Sequence, residues 1–574
     1  MYADRWYRDP MPALVMPLAR RMDPRNLPTT RASLARVIAV LVTGLVIAGY
    51  IAYIGRYAVN GVYWDEWKWV EMIQQGGSGR LTLGDLWAQH NESRMFFPNI
   101  IAVTLGRWTG YSDVAFMALG AVFLVLAFGL LVVACRHDVR DRPLAYVPAV
   151  FVVFSLAQYE NALWAFQFAW FLVLACLAAV LLVLTRVHLT WRWMGLAGVV
   201  GIIASYSLLQ GLLVWPAGLV ALMRPGISWM RRVTWTGAGV LATGMYMWGL
   251  RLDKLGGPPL SDFLSHVPAA VQGYFVAVGS IIPDLHTVVV GGGDSYTVTA
   301  WLGVLMVAVG ACVCGAWWRV GRADRTLTIA VALIVSALLF DVMLMPARLA
   351  AGVISGTVSR YTTFNLILLF GAYVGAVRLL GLTTVRWKSP AAMLLGATAI
   401  LVALQIPLAT RAGDAAGPLT EATHAEAANL TANSAIAPPT LVAFYAYPPS
   451  YAYFQTNADF LRSDKLSVFA DGEADGYVAS GVVAGGRVTH ALPFPPEVAP
   501  PEPGAWQSKA WLALSSVYDQ RSDLQVAFPG DTAETSRAML RWAVASGGEP
   551  SDQFYAEVLM PYAYVYQAWV AELH

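Results

Sequence analysis

The stretch VIAVLVTGLVIAGYIAYIG, Val37 to Gly55, carries no charged side chain and is long enough to cross a bilayer as one helix. The rest of the chain has a similar character. Of its 574 residues, 57% are hydrophobic and only 13% are charged, and the mean hydropathy is +0.55. These values lie far from those of soluble proteins. The sequence therefore predicts a polytopic membrane protein.

Ten further apolar runs follow this first span. They lie near Val114 to Cys135, Leu144 to Ala157, Phe168 to Thr185, Trp193 to Leu209, Leu212 to Met223, Val233 to Leu250, Val298 to Trp318, Leu327 to Met345, Thr362 to Leu380 and Ala391 to Thr410. The fifth and sixth spans are separated by only two residues, so they form either two crossings or one re-entrant hairpin. We expect an all-α membrane domain of about eleven transmembrane helices over residues 37–410.

The distribution of arginine and lysine sets the expected orientation, because cytoplasmic loops carry an excess of both. Basic residues crowd the N-terminal segment 1–36 and alternate loops after it, whereas the short loops 158–167 and 208–211 contain none. We therefore expect a cytoplasmic-membrane protein whose N-terminus lies inside. The first span has no convincing cleavage site after it and is interpreted as a retained helix. The loops 56–113 and 251–297 and the region 411–574 then lie outside.

The C-terminal region changes composition sharply after residue 410. It loses the long apolar runs and gains Asp, Glu, Pro and Tyr. A strand-like run covers Leu466 to Ala470, and helical patterns return near Thr535 to Ala545 and Phe554 to Leu573. These features predict a soluble exoplasmic α/β domain over residues 411–574. Its aromatic clusters fit either recognition of an acceptor or an ordinary aromatic core.

Two classes of function are disfavoured by charge and cysteine content. The net charge of +2 is spread along the chain, so no basic patch indicates a nucleic-acid partner. The four cysteines all lie within apolar runs, where they are interpreted as small core residues, not as a disulfide or zinc framework.

The first outer loop begins with VYWDEWKWVEM, in which Asp65 and Glu66 stand between Trp64 and Trp67. One interpretation is a solvated helix start, where acidic groups complement the helix dipole and tryptophans anchor the interface. The other is a general base, because a carboxylate beside an apolar wall has a raised pKa and can accept a proton from an attacking hydroxyl.

Polar side chains continue in LTLGDLWAQHNESRMFFPNI further along the same loop. On a helix, His90 and Arg94 would share one face, with Glu92 turned away. This pattern fits either a polar helix end or a hydrogen-bonding wall for a polar substrate. The loop QYENALWAFQ adds Glu160 and Asn161 among aromatic side chains, a combination suited to a carbohydrate.

Arg348 and Arg360 are the basic residues of the outer loop MPARLAAGVISGTVSRYTTF, and Asp341 lies just inside the membrane before them. A charged group at that depth is costly and usually paired. Pairing of Asp341 with Arg348 is one interpretation. The alternative is a phosphate clamp, since the guanidinium presents a planar fork to phosphate oxygens.

Together these residues make the chain resemble the multispanning glycosyltransferases of the GT-C superfamily. The similarity rests on the acidic pair Asp65 and Glu66, the turn Gly211 to Pro216, and the Ser-Arg-Tyr element containing Arg360 and Tyr361. The resemblance implies a polyprenyl-phosphate-linked sugar donor, a catalytic carboxylate at Asp65 first or Glu66 second, and donor-phosphate binding near Arg348, Arg360 and Tyr361. Some members use Mg or Mn and others use no metal, so the cofactor stays open.

The expected function is an inverting hexosyl- or pentosyltransferase that modifies a cell-envelope glycan, lipid or protein on the outer side of the membrane. Trp64, His90, Glu92, Arg94, Glu160 and Asn161 are the expected substrate-binding residues. A lipid-linked saccharide flippase and a surface-polysaccharide polymerase or ligase are the alternatives. The spans are nearly free of charge in their middles, which favours chemistry at the surface over transport.

Overall fold

The computed structural model describes residues 30–251, 267–283, 296–348, 357–382, 389–435, 437, 442, 446, 451–470, 472, 474, 482–484 and 487–489. Helices dominate this part of the chain. They are α1 (Thr30–Tyr57), α2 (Trp67–Gly77), α3 (Leu83–Trp87), α4 (Phe96–Thr109), α5 (Asp113–Ala134), α6 (Arg136–Asp141), α7 (Pro143–Val153), α8 (Tyr159–Leu163), α9 (Phe168–Leu184), α10 (Trp191–Ser205), α11 (Val214–Leu222), α12 (Trp229–Met247), α13 (Val267–Gly279), α14 (Thr297–Ala316), α15 (Arg325–Arg348), α16 (Ser359–Leu382), α17 (Pro390–Ala432) and α18 (Tyr451–Ser463).

The strands are short and form two antiparallel hairpins. They are β1 (Gln89–His90) with β2 (Ser93–Arg94), and β3 (Val482–Ala484) with β4 (Arg487–Thr489). Single-turn 3-10 helices lie at Trp64–Glu66, Leu156–Gln158, Ala165–Gln167, Leu209–Leu213 and Ser467–Phe469, and a π-helical turn at Trp317–Gly321.

Eight of the described helical segments are long and apolar enough to cross a membrane. They are Ser33–Tyr57, Asp113–Ala134, Pro143–Leu163, Ala165–Leu184, Thr297–Arg319, Arg325–Met345, Ser359–Leu382 and Pro390–Ala432. Each matches one of the eleven predicted spans. The three others correspond to α10 and α11, which are too short, and to α12, which carries Arg231 and Arg232 near its beginning. The prediction of an all-α polytopic membrane protein is confirmed at this coarser level.

The centre of the bundle is α9, of whose apolar window 89% is buried, whereas α1 lies at the edge with 17% buried. Both helices are apolar on all sides, so their sequences do not distinguish protein neighbours from lipid. The difference in burial comes from the neighbouring helices. α9 is enclosed by α5, α10 and α11, whereas most of the surface of α1 is not covered by other described helices.

Glycine allows α13 and α14 to pack closely against each other. A β-carbon added to Gly279 would lie 1.9 Å from the carbonyl oxygen of Thr299, and one added to Gly303 would lie 1.9 Å from that of Phe275. Small residues of this kind let backbones approach closely in membranes. The helix α13 is therefore packed into the bundle.

The helix α17 is 43 residues long and runs without interruption past residue 410. The chain after it returns to the loop between α1 and α5. The indole N–H of Trp67 donates to the carbonyl oxygen of Ala446 (2.8 Å), and the hydroxyl of Tyr453 donates to the carbonyl oxygen of Trp67 (3.0 Å). The first loop and the segment around α18 thus lie at the same end of the bundle.

The predicted strand Leu466 to Ala470 is wrong, because a 3-10 turn occupies Ser467–Phe469. Lys465 and Ser467 have φ values of 55° and 54°, which break an extended backbone. The N–H of Ser467 donates to the carbonyl oxygen of Gly110 (2.7 Å), so the turn caps the first loop. The helical patterns near residues 535–545 and 554–573 lie outside the described residues, and the α/β domain stays a prediction.

Candidate functional site

The acidic pair lies on a 3-10 turn, Trp64–Glu66, directly before α2. Successive residues of a 3-10 helix are rotated by about 120°, so the side chains of Asp65 and Glu66 leave the backbone in different directions. Trp64 has φ 52°, an unusual value for a bulky residue. The turn therefore gives the two carboxylates different surroundings.

Glu66 points into the protein and is only 1% exposed. The backbone N–H of Tyr63 donates to its Oε2 (2.8 Å), and that of Phe166 donates to its Oε1 (3.1 Å). Burial raises the pKa of Glu66 well above its usual range, the neighbouring carboxyl of Asp113 raises it further, and the two N–H donors oppose these effects. Glu66 thus fastens the first loop to the loop before α9.

Asp65 faces outward and pairs with His90. Its Oδ1 lies 3.2 Å from Nε2 of His90, and about a quarter of each side chain is exposed, 27% and 25% respectively. Burial is the largest single effect on His90 and lowers its pKa. The charge and hydrogen bond of Asp65, with a smaller effect of Glu92, raise the pKa, and the net value lies above the ordinary one. Among the described site residues, the pair formed by this carboxylate and imidazole is the best suited to proton transfer.

His90 reaches Asp65 from a hairpin, so the prediction that His90 and Arg94 share a helical face is wrong. Gln89 pairs with Arg94 and His90 pairs with Ser93. Asn91 has φ 48° and makes the turn, because asparagine tolerates the left-handed conformation that a continuing helix excludes.

Arg94 and Glu92 are tied to α12 and its C-terminal end. The guanidinium of Arg94 donates to the carbonyl oxygens of Tyr246 (2.8 Å), Trp248 (2.6 Å) and Trp87 (3.2 Å), and its side chain is buried. The hydroxyl of Tyr246 donates to the carbonyl oxygen of Glu92 (2.8 Å). These contacts hold the hairpin that contains His90 against the end of α12. Arg94 makes most of them.

Aromatic rings connect the acidic turn to the loop before α9. The Trp64 and Trp164 centroids are 5.6 Å apart, those of Trp164 and Phe166 are 5.8 Å apart, and the His90 ring lies 5.2 Å from that of Phe166. Trp64 is 8% exposed, so it supports the site from beneath and offers little open face for stacking. The indole N–H of Trp164 is buried and meets no hydrogen-bond partner among the described residues.

The start of the loop before α9 contacts Arg360, which lies in the first turn of α16. Its guanidinium forms an ion pair with Glu160, and its backbone N–H donates to Oε2 of Glu160 (3.3 Å). The amide of Asn161 donates to the carbonyl oxygen of Arg360 and to the hydroxyl of Thr363, both at 2.8 Å. The guanidinium carbon of Arg360 also lies 5.1 Å from the ring centre of Tyr361.

One short loop therefore joins the two groups of predicted residues. Near the beginning of the loop, Glu160 and Asn161 contact Arg360. Near the end of the loop, Phe166 lies beside the His90 ring and donates its backbone N–H to Glu66. Thr363, which the sequence analysis missed, hydrogen-bonds to both Asn161 and Gln158. A threonine within an apolar helix gives no sequence signal, because its partners come from a distant loop.

Arg348 ends α15, and its side chain lies outside the described residues. Asp341, the other member of the predicted pair, is fully buried, and the amide of Asn365 donates to its Oδ1 (3.3 Å). Asn365 also donates to the carbonyl oxygen of Ala277 (2.8 Å), linking α13, α15 and α16.

Asp65, Glu66 and His90 do not converge as a metal site. Glu66 is held inside by backbone N–H groups, and no group of three or more His, Cys, Asp or Glu side chains suited to a cation occurs in the part of the chain described above. We therefore derive no chemical step through a metal ion.

No protein-family model, curated protein or solved structure matches this chain.

Proposed function

We propose that the protein is an inverting glycosyltransferase that moves a sugar from a polyprenyl-phosphate donor to a cell-envelope glycan, lipid or protein acceptor. The observation that carries the proposal is the partly exposed Asp65–His90 pair, which lies beside the loop that contacts Arg360. Displacement of a phosphate leaving group needs a base that accepts the proton of the nucleophile and a cation that stabilises the charge on the phosphate.

Asp65 is the proposed catalytic base. The acceptor hydroxyl loses its proton to the Asp65 carboxylate, and the oxygen attacks the anomeric carbon from the face opposite the phosphate. The bond between that carbon and the phosphate oxygen breaks, and its electron pair leaves with the polyprenyl phosphate. The sugar is transferred with inversion. Glu66 suits this step less well, since both of its oxygens accept backbone hydrogen bonds inside the protein.

His90 is the proposed orienting partner of the base. A ring N–H at Nε2 donates to Asp65 and holds the carboxylate toward the exposed side. The imidazole also lowers the cost of the negative charge on Asp65 before the reaction.

Arg360 is the proposed phosphate-binding residue. A guanidinium presents its N–H donors in a planar arrangement that suits phosphate oxygens, and the ion pair with Glu160 positions this group at the loop before α9. Glu160 and Asn161 keep the arginine at the loop while charge grows on the departing phosphate.

The proposed setting is the outer face of the cytoplasmic membrane, with the N-terminus inside. The arginine-rich alternate loops support this orientation. The contact of Trp67 with Ala446 is consistent with it, because it brings the first loop and the C-terminal region to one side of the bundle.

The test uses the purified full chain in lipid nanodiscs with radiolabelled polyprenyl-monophosphate hexoses and pentoses and a membrane extract as acceptor. We expect transfer by the unmodified chain and by Asp459→Asn, an exposed carboxylate on α18 that serves as control. The Asp65→Asn variant is expected to bind donor but not to transfer sugar. Undiminished transfer by an Asp65→Asn, Glu66→Gln double variant contradicts the proposal.

A polymerase or ligase is separated from this function by its donor. Polyprenyl-diphosphate sugars are supplied in a parallel reaction, and transfer from them alone indicates the second class. Movement of the intact lipid-linked saccharide across the bilayer, without bond cleavage, indicates a flippase.

A further inference from the structure

A cavity of about 560 Å³ lies between α1, α5, α7 and α16. Its walls are almost wholly apolar and include Val40, Phe128, Val150 and Phe370. The volume falls within the usual range for small-molecule sites, about 300–1,000 Å³. Val40 is 70% exposed, so the cavity opens sideways past α1, toward the region where lipid chains lie.

Three arginines line one end of this cavity: Arg36 on α1 and Arg136 and Arg140 on α6. All three are exposed, and none is paired with a carboxylate among the residues the structure describes. Asp138, on the same short helix, is engaged elsewhere: its Oδ1 lies 2.6 Å from Nη1 of Arg378, and its Oδ2 accepts from the hydroxyl of Thr326. The rim of the cavity is therefore positive.

We propose that this cavity is a binding site for an anionic glycerophospholipid of the adjoining leaflet. The lipid phosphate contacts Arg36, Arg136 and Arg140, and one acyl chain lies along the apolar wall. Guanidinium groups match phosphate oxygens in geometry and charge, while the rest of the lining is mainly apolar and suits an acyl chain.

The cavity is distinct from the Asp65–His90 site. Arg36 lies near the start of α1, and Tyr57 ends the helix, roughly 30 Å away at 1.5 Å per residue. Asp65 follows beyond that far end. The proposal is therefore independent of the proposed sugar transfer, and it holds for whichever leaflet borders the arginines.

A lateral opening favours a lipid over a soluble phosphate. A free phosphate would use only the arginine rim and leave the long apolar wall without a function. A lipid uses both parts, because its headgroup stays at the interface while its chain replaces neighbouring lipid in contact with the wall.

The experiment measures lipid retention by native mass spectrometry and thermal unfolding of the full chain in mixed micelles of phosphatidylglycerol or phosphatidylcholine. We expect selective retention of phosphatidylglycerol. The Arg36→Gln, Arg136→Gln, Arg140→Gln variant is expected to weaken retention on the order of a hundredfold, at about fivefold per arginine. The Ala39→Trp variant, which fills the cavity while keeping the arginines, is expected to weaken it as well.

The matched control replaces three exposed arginines that do not line the cavity: Arg192, Arg319 and Arg322. We expect this variant to retain phosphatidylglycerol, with both triple variants showing a normal elution volume. Equal loss in the control indicates diffuse charge and overturns the proposal, as does equal retention of phosphatidylcholine. Displacement of the lipid by glycerol 3-phosphate, or unchanged retention in Ala39→Trp, overturns the role of the apolar wall.

Discussion

Oδ1 of Asp65 lies 3.2 Å from Nε2 of His90, and the two residues come from separate parts of the loop between α1 and α5. Asp65 follows Trp64, whose φ of 52° is unusual for a bulky residue. His90 lies on a hairpin that Arg94 binds to the end of α12. Since each residue is positioned by its own support, the geometry of the pair is set by the fold.

Replacing Asp65 with Asn is expected to lower the rate of sugar transfer at least about a hundredfold, because the amide does not accept the acceptor's proton. Transfer of labelled sugar gives the rate, and binding of the labelled donor gives the control. Loss of donor binding in proportion to loss of transfer indicates a structural role for Asp65.

Replacing Glu66 with Ala is expected to lower the free energy of unfolding by about 2 kcal/mol or more, because two buried backbone N–H groups lose their acceptor. The measurement is thermal unfolding in detergent, with Asp459→Ala as the exposed control. A variant as stable as the parent would show that the N–H groups of Tyr63 and Phe166 do not depend on Glu66.

The raised pKa of Glu66 also predicts a pH dependence of stability. Its folded-state pKa lies above the ordinary 4.5, so the folded state retains a proton that the unfolded state releases. This contribution is fully present below pH 4.5 and is lost as the pH rises through the folded-state value. We expect Glu66→Gln to flatten this part of the unfolding-temperature profile. An unchanged profile assigns the dependence to other groups.

The pairing of His90 with Asp65 predicts a second effect of pH. The pKa of His90 is raised above 6.5, so the charged pair contributes stability below pH 6.5 and loses it as the pH rises through the folded-state pKa. Asp65 becomes a stronger base once His90 is neutral, and kcat/KM is expected to increase over that interval. In His90→Gln the increase is expected to disappear, and its persistence would point to another titrating group.

Replacing Arg360 with Lys is expected to raise the KM for the donor about 10- to 100-fold, because the ammonium keeps the charge but loses the planar set of donors. The Thr363→Ser variant is the control, since it keeps the hydroxyl that contacts Asn161. A change confined to the KM for the acceptor would indicate that Arg360 binds the acceptor and not the donor.

The spans were predictable because their signal is local. A run such as Phe168 to Leu184 is apolar throughout, and no tertiary contact is needed to exclude it from water. The hairpin at Gln89 to Arg94 was not predictable in the same way. His90 and Arg94 have the spacing of one helical face, but in the structure Asn91 adopts the left-handed conformation and the carbonyls of Tyr246 and Trp248 bind Arg94.

The sequence by itself determined that the chain is a helical membrane protein and that polar residues gather in a few loops, since hydropathy is a property of each segment alone. Tertiary structure decided which of the two adjacent carboxylates is buried and which is partly exposed. Asp65 faces His90 at the surface, whereas Glu66 is enclosed by Tyr63, Phe166 and Asp113. Adjacent residues of one type differ only through their neighbours, and those neighbours come from distant parts of the chain.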